Sequence, residues 1–69
     1  MVDIKTRLRE LREKRGYTQL KVAIDLNLNQ NSISRYETGE REAGDELLVQ
    51  LANYYGVSID YILNRTDKP

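Results

Sequence analysis

Apolar residues recur three or four positions apart along most of this chain, with polar residues between the runs. Ile4, Leu8 and Leu11 form one stripe, and the spacing predicts a first helix over 3–15, stopped by Gly16 after Arg15. Val22, Ala23 and Leu26 form a second stripe, on a helix over 19–26 with Thr18 as its N-cap. A polar break follows at 27–30, and Asn27-Leu28-Asn29 reads as a turn in which Asn27 tolerates positive φ where glycine is missing. Ile33 and Tyr36 face inward from a third helix that starts after the N-cap Asn29 and ends near Thr38, before Gly39. Beyond the polar loop at 40–44, Leu47, Leu48, Leu51, Ala52 and Tyr55 make the inner face of a fourth helix over 45–55. Gly44 or Asp45 starts it and Gly56 stops it. Ser58 caps a short fifth helix to about Leu63, which buries Val57, Ile59, Ile62 and Leu63. The chain after 64 reads as fraying. No strand pattern occurs, so the expectation is a compact all-α, five-helix domain over 1–66 with a flexible tail at 67–69.

Within 18–39 the two short helices and their tight turn have a particular layout. Ala23 is small enough to let the third helix approach the second closely, and Leu28 is placed to plug the corner between them. That is the layout of a helix-turn-helix, whose second helix can enter the major groove of DNA.

Composition narrows the class. Sixty-nine residues make one small domain, and such a chain buries only about 60% of its unfolded surface, which leaves no room for a second separate domain core. With 39% hydrophobic and 32% charged residues it falls in the soluble globular class. No apolar run exceeds three residues, so neither a membrane span nor a signal-peptide core is expected, and cytoplasm is the default location. Net charge is zero, unlike the strong basic signature of many nucleic-acid binders. The distribution is uneven: residues 1–15 carry +3, 16–39 are balanced, and 40–69 carry −3. Either the basic end faces phosphate, or the first helix is simply laced with salt bridges on a solvated face.

The chain offers no catalytic machinery to build on. It has no histidine and no cysteine, which removes the commonest general base, the thiolate nucleophile and the softer metal ligands. Ser32 and Ser34 have no activating base, and the four glycines fall at helix boundaries rather than in a phosphate-cradling loop. Glu40, Glu42, Asp45 and Glu46 fit no calcium-loop spacing and read as solvated carboxylates. An enzyme, a metal site and a cofactor are therefore not expected.

The polar face of the third helix reads differently. Gln30, Asn31, Ser34 and Arg35 lie together opposite Ile33 and Tyr36. Carboxamides can bond bidentately to adenine N6 and N7, and a guanidinium can do so to guanine O6 and N7, each pair giving about 1–3 kcal/mol of discrimination. An ordinary solvent-exposed face is the alternative, but such faces favour Glu, Lys and Ala over these weak helix formers with directional groups. Thr18 and Gln19 stand at the start of the second helix, where a phosphate clamp is natural; capping alone also explains Thr18. Gly39 and Arg41 are candidate phosphate contacts beyond the third helix, Arg41 being equally readable as an unpaired surface arginine.

These residues together resemble the lambda-repressor-like family of helix-turn-helix regulators, also called the Cro/C1 or xenobiotic-response-element family. The resemblance covers about 3–66 and rests on RLRELREKRGYTQ, NQNSISRYETG and LLVQLANYYGVSIDYIL. It implies a sequence-specific double-stranded DNA-binding regulator, a repressor acting as a homodimer on a two-fold operator. It also implies that Gln19 holds a phosphate and buttresses the third helix, that Gln30, Asn31 and Arg35 read bases, and that Ser32 and Ser34 are flanking contacts. Arg12 and Glu37 match a family ion pair that bridges the first helix to the end of the third. The family's dimer surface maps to Val57, Ile59, Tyr61 and Ile62; core packing competes at Val57 and Ile62, which leaves Ile59 and Tyr61 as interface residues. Three departures stand out. The family's turn glycine is Asn27, and the usually basic loop after the third helix is Glu40-Arg41-Glu42-Ala43, which implies modest affinity and a modest salt slope. Leu20 and Ile24 lie off the buried stripe, either as partly covered rim residues or as a contact for a protein partner. The rival reading is a protein-interaction module, such as an antitoxin or anti-repressor, working through its acidic half and that pair.

Overall fold

Short side chains decide where the helices start. In a computed structural model describing residues 6–69, the Thr18 hydroxyl accepts a hydrogen bond from the Lys21 amide at 3.0 Å, opening α2 (Gln19–Asp25). Asn29 Oδ1 accepts from the Asn31 amide at 2.8 Å, opening α3 (Gln30–Thr38). Ser58 accepts from the Tyr61 amide at 3.1 Å, opening α5 (Ile59–Ile62). Each cap satisfies an amide that the first helical turn leaves without a partner. α4 (Asp45–Tyr55) begins after Gly44 without a side-chain cap; the acids Asp45 and Glu46 in its first turn complement the helix dipole instead. Gly39 ends α3 with φ 83°, and Asn27 carries the α2–α3 turn with φ 57°, both in the left-handed region.

α1 spans Leu8–Lys14, shorter than the predicted 3–15. Among the described residues the helix begins after Arg7, whose amide donates to the Ile62 carbonyl at 2.8 Å rather than entering a helical turn. Ile4, expected in the inner stripe of this helix, lies outside the described residues. The basic residues of α1 are already engaged: Arg9 pairs with Glu13 at 3.6 Å and Lys14 with Glu10 at 3.7 Å, while Arg15 donates to the Tyr55 carbonyl. The salt-laced reading of this helix is the one the structure supports.

The apolar interior divides in two. Leu8 and Leu11 of α1, Leu51, Ala52 and Tyr55 of α4, and Ile62 of α5 form a scaffold cluster. Val22, Ala23 and Ile33 form a second cluster between α2 and α3. Tyr17, Leu26 and Tyr54 pack against both and join them. Ala23 is 1% exposed, as its role as the close-approach residue requires, and Leu28 is half-buried at the corner. Val57, Ile59 and Leu63 are half-buried around the fully buried Ile62. Leu20 and Ile24, off the buried stripe of α2, are 53% and 68% exposed. The radius of gyration, 11.0 Å, matches the about 11 Å of a single packed domain of this length. Among the described residues no helix is long and apolar enough to cross a membrane.

Candidate nucleic-acid interface

α3 owes its position to what it buries. Ile33 is 4% exposed against α2, and Glu37, one turn later on the same side, is 5% exposed. This orientation leaves Gln30, Asn31 and Arg35 exposed on the outer side, with Ser32 and Ser34 half-buried on its flanks. The two carboxamides and the guanidinium therefore share one short, capped rod. Their tips carry donors and acceptors in directions that can match base edges.

A buried carboxylate on α3 needs partners, and it has three donors. Arg12 Nε lies 2.6 Å from Glu37 Oε2, and Arg12 Nη2 lies 3.2 Å from Oε1. Gln19 Nε2 donates to Oε1 at 3.3 Å. The remaining side of Arg12 donates to the Tyr17 carbonyl at 2.8 Å. This bidentate arrangement raises the Arg12 pKa above its ordinary value, mainly through the Glu37 hydrogen bond. The structure thus brings Arg12, Gln19 and Glu37 into one network joining α1, α2 and α3.

The other candidate residues are placed as follows. Thr18 is exposed at the start of α2, its oxygen engaged as the cap. Gly39 is exposed just past α3, and Arg41 sits with its guanidinium carbon 5.7 Å from the centroid of the Tyr36 ring. Arg35 and Arg41 take part in none of the ion pairs formed among the described residues. Ile59 packs against the scaffold cluster and Tyr61 is half-buried on α5, remote in sequence from the α3 face. Arg7 covers Tyr61 with its guanidinium carbon 4.1 Å from the ring centroid and donates to the carbonyls of Tyr61 at 3.1 Å and Thr66 at 2.7 Å.

Two connections escaped sequence reasoning. One is this Arg7 hub. The other is Tyr54, whose hydroxyl donates to Asp25 Oδ2 at 2.5 Å. Lys21 reaches the same oxygen at 3.0 Å. The (i, i+4) spacing of Lys21 and Asp25 signals their pairing, but no local pattern signals a tyrosine 29 positions away. Tyr54 first and Lys21 second hold the Asp25 carboxyl below the usual carboxylate range. Burial and the Asp25 carboxylate push the Tyr54 phenol up. Burial, followed by the nearby Glu37, pushes Tyr55 up to about 12.

Comparison with known proteins places this geometry. The helix-turn-helix family profile matches residues 8–62. The chain belongs to the Cro/C1-type helix-turn-helix family. In this family of DNA-binding transcriptional regulators, α2, its turn and α3 are the paired helices of the motif. The chain is similar to the HTH-type transcriptional regulator ImmR of Bacillus subtilis, 43% identical over 61 residues that cover 88% of this chain and 48% of that one. It is similar also to the SPbeta prophage-derived regulator YonR of the same organism, 35% identical over 87% of this chain and 56% of the relative. The regulator YobD is 38% identical over 91% of this chain and 56% of its own length. The helix-turn-helix chain described here spans about half the length of these relatives.

Proposed function

We propose that this helix-turn-helix domain binds double-stranded DNA sequence-specifically as the DNA-binding unit of a transcriptional repressor. It acts as a homodimer on a two-fold operator in the cytoplasm, by binding alone and without a cofactor or a catalytic step. The observation that carries the reading is the outer side of α3, where Gln30, Asn31 and Arg35 project while Ile33 and Glu37 anchor the helix behind them. Gln30, Asn31, Ser34 and Arg35 read base edges. Thr18, Gln19, Ser32, Arg41 and the Gly39 backbone hold phosphates and fix the register. The Arg12–Glu37 pair sets the orientation of α3, and Ile59 with Tyr61 contributes to the surface between subunits. Half-sites then lie roughly 34 Å apart, so two copies of α3 enter successive major grooves on one side of the duplex.

Selection of bound sites from a random duplex pool at two salt concentrations tests the proposal. Enrichment of a palindrome with that half-site spacing is the expected result. Recovery of no sequence above background at low salt overturns it. One observation favours a second reading: the exposed Leu20 and Ile24 suit a protein-interaction module, such as an antitoxin or anti-repressor. Absence of any DNA shift, together with a stoichiometric protein partner released by Leu20→Ser or Ile24→Ser, would favour that reading.

A further inference from the structure

Leu26 at the end of α2 and Tyr36 of α3 pack against the scaffold cluster, and polar contacts also join the α2–α3 pair to the other helices. Glu37 carries one crossing at the end of α3. Asp25, the last residue of α2 and next to the turn of the motif, carries another. We propose that the Asp25–Tyr54 hydrogen bond is a positioning contact that fixes the tilt of the helix-turn-helix pair against α4, so that two residues remote from the reading face govern how α3 meets DNA. This rests on the DNA-binding reading above.

Three features support it. Tyr54 is held as a plate: its ring lies 5.9 Å from that of Tyr17 and 5.0 Å, edge-on, from that of Tyr55, which is 2% exposed in the scaffold cluster. Its hydroxyl is therefore presented from a packed ring rather than from a free side chain. Asp25 stands two residues before Asn27, where the chain turns into α3, so a displacement there is passed directly to the third helix. Finally, Lys21 already pairs with Asp25 within α2, at 3.0 Å. The Tyr54 bond is the contact that ties Asp25 to α4.

Conservative variants separate positioning from stability. Tyr54→Phe keeps the ring and its stacking but removes the donor. Asp25→Asn keeps an acceptor for Tyr54 and removes the charge facing Lys21. For the full chain on its selected operator, Tyr54→Phe is expected to weaken binding roughly three- to tenfold. It should also narrow the ratio between that operator and single-base variants, at a temperature where circular dichroism shows a folded protein. Asp25→Asn should stay near the parent in both readouts, and Asp25→Ala combined with Tyr54→Phe should be no worse than either alone. Residual dipolar couplings of the free domain read the tilt without DNA. In Tyr54→Phe the α2 and α3 couplings should shift together relative to α1, α4 and α5. Unchanged couplings, or a lowered melting temperature with affinity and discrimination intact, overturn the proposal. A parent protein that binds no DNA refutes the functional reading instead, and the couplings still judge the tilt.

Discussion

Replacing Arg12 by methionine is the most demanding test of how α3 is held. Arg12 and Glu37 side chains are 13% and 4% exposed, and they meet through two contacts of 2.6 and 3.2 Å. Removing the cation leaves a carboxylate inside the protein with Gln19 as its remaining donor, and leaves the Tyr17 carbonyl without its guanidinium. Breaking a buried pair from one side costs about 3–5 kcal/mol. A domain of this length holds about 3–10 kcal/mol in total, from a typical 0.05–0.15 kcal/mol per residue. Arg12→Met should thus remove a third or more of the stability. Glu37→Met should cost less, because Arg12 keeps the Tyr17 carbonyl and some contact with water. The double variant, with two apolar side chains of similar size facing each other, should be more stable than either single one.

Urea titrations followed by circular dichroism at 10 °C supply the three differences. Single losses below about 1 kcal/mol that simply add in the double variant would mean an exposed-type pair, and the reasoning would fail. The same double variant separates folding from orientation. If the pair positions α3, operator affinity should stay reduced although stability has returned; affinity that returns with stability confines the pair to holding the fold. The raised Arg12 pKa means its charge is present at every pH such titrations use.

Further outcomes can be measured on the same protein. Arg35→Ala should flatten preference at one base position in anisotropy titrations against a panel of base-substituted sites, whereas Gln19→Ala should weaken all sites alike. Uniform loss from Arg35→Ala would refute its assigned role. Arg41→Ala should make the slope of log K against log salt shallower by about 0.9 per subunit, and an unchanged slope would remove Arg41 from the phosphate contacts. Tyr55, whose pKa is pushed up to about 12 from 10.0, retains its proton longer in the folded than in the unfolded chain. Its contribution is complete below pH 10 and is lost as pH rises through 10 towards 12. Tyr55→Phe should accordingly flatten the alkaline decline seen in urea midpoints, and an identical decline would contradict the assignment.

The helix boundaries were legible because their causes are local. Thr18, Asn29 and Ser58 each bond an amide two or three positions ahead, and Gly39 and Asn27 mark backbone that turns left-handed. The outer and inner sides of α3 were legible because period places Asn31 and Arg35 nearly opposite Ile33. The start of α1 was not: a helical stripe cannot reveal that the Arg7 amide prefers the carbonyl of Ile62. Period did place Leu20 and Ile24 off the buried stripe, but not how exposed they are, which depends on where the neighbouring helices end up. The Asp25–Tyr54 and Arg7–Thr66 contacts cross 29 and 59 positions, and no pattern in a single chain selects those partners.

The same network explains how a chain of zero net charge suits a DNA-binding family. Among the described residues, the cations near the start of the sequence already have partners within the protein. Arg7 is engaged with Asp67, Arg9 with Glu13, Arg12 with Glu37 and Lys14 with Glu10, while Arg15 is turned to the carbonyls of Leu11 and Tyr55. Arg35 and Arg41, with Arg65 beside the end of α3, take part in none of the ion pairs among the described residues. If Arg35 and Arg41 are the main free cations at the proposed interface, counterion release should supply a modest share of the affinity, because each neutralised phosphate contributes a fixed share. The larger part must come from directional bonds to base edges and from amides to phosphates. Nonspecific binding depends mainly on the ionic part, so on that reading it should be weak, and a steep salt dependence of binding to random duplex would contradict it. On the proposed reading, a charge-poor helix-turn-helix would gain discrimination by lowering the background rather than by raising the peak, which would make the presentation of α3 decisive.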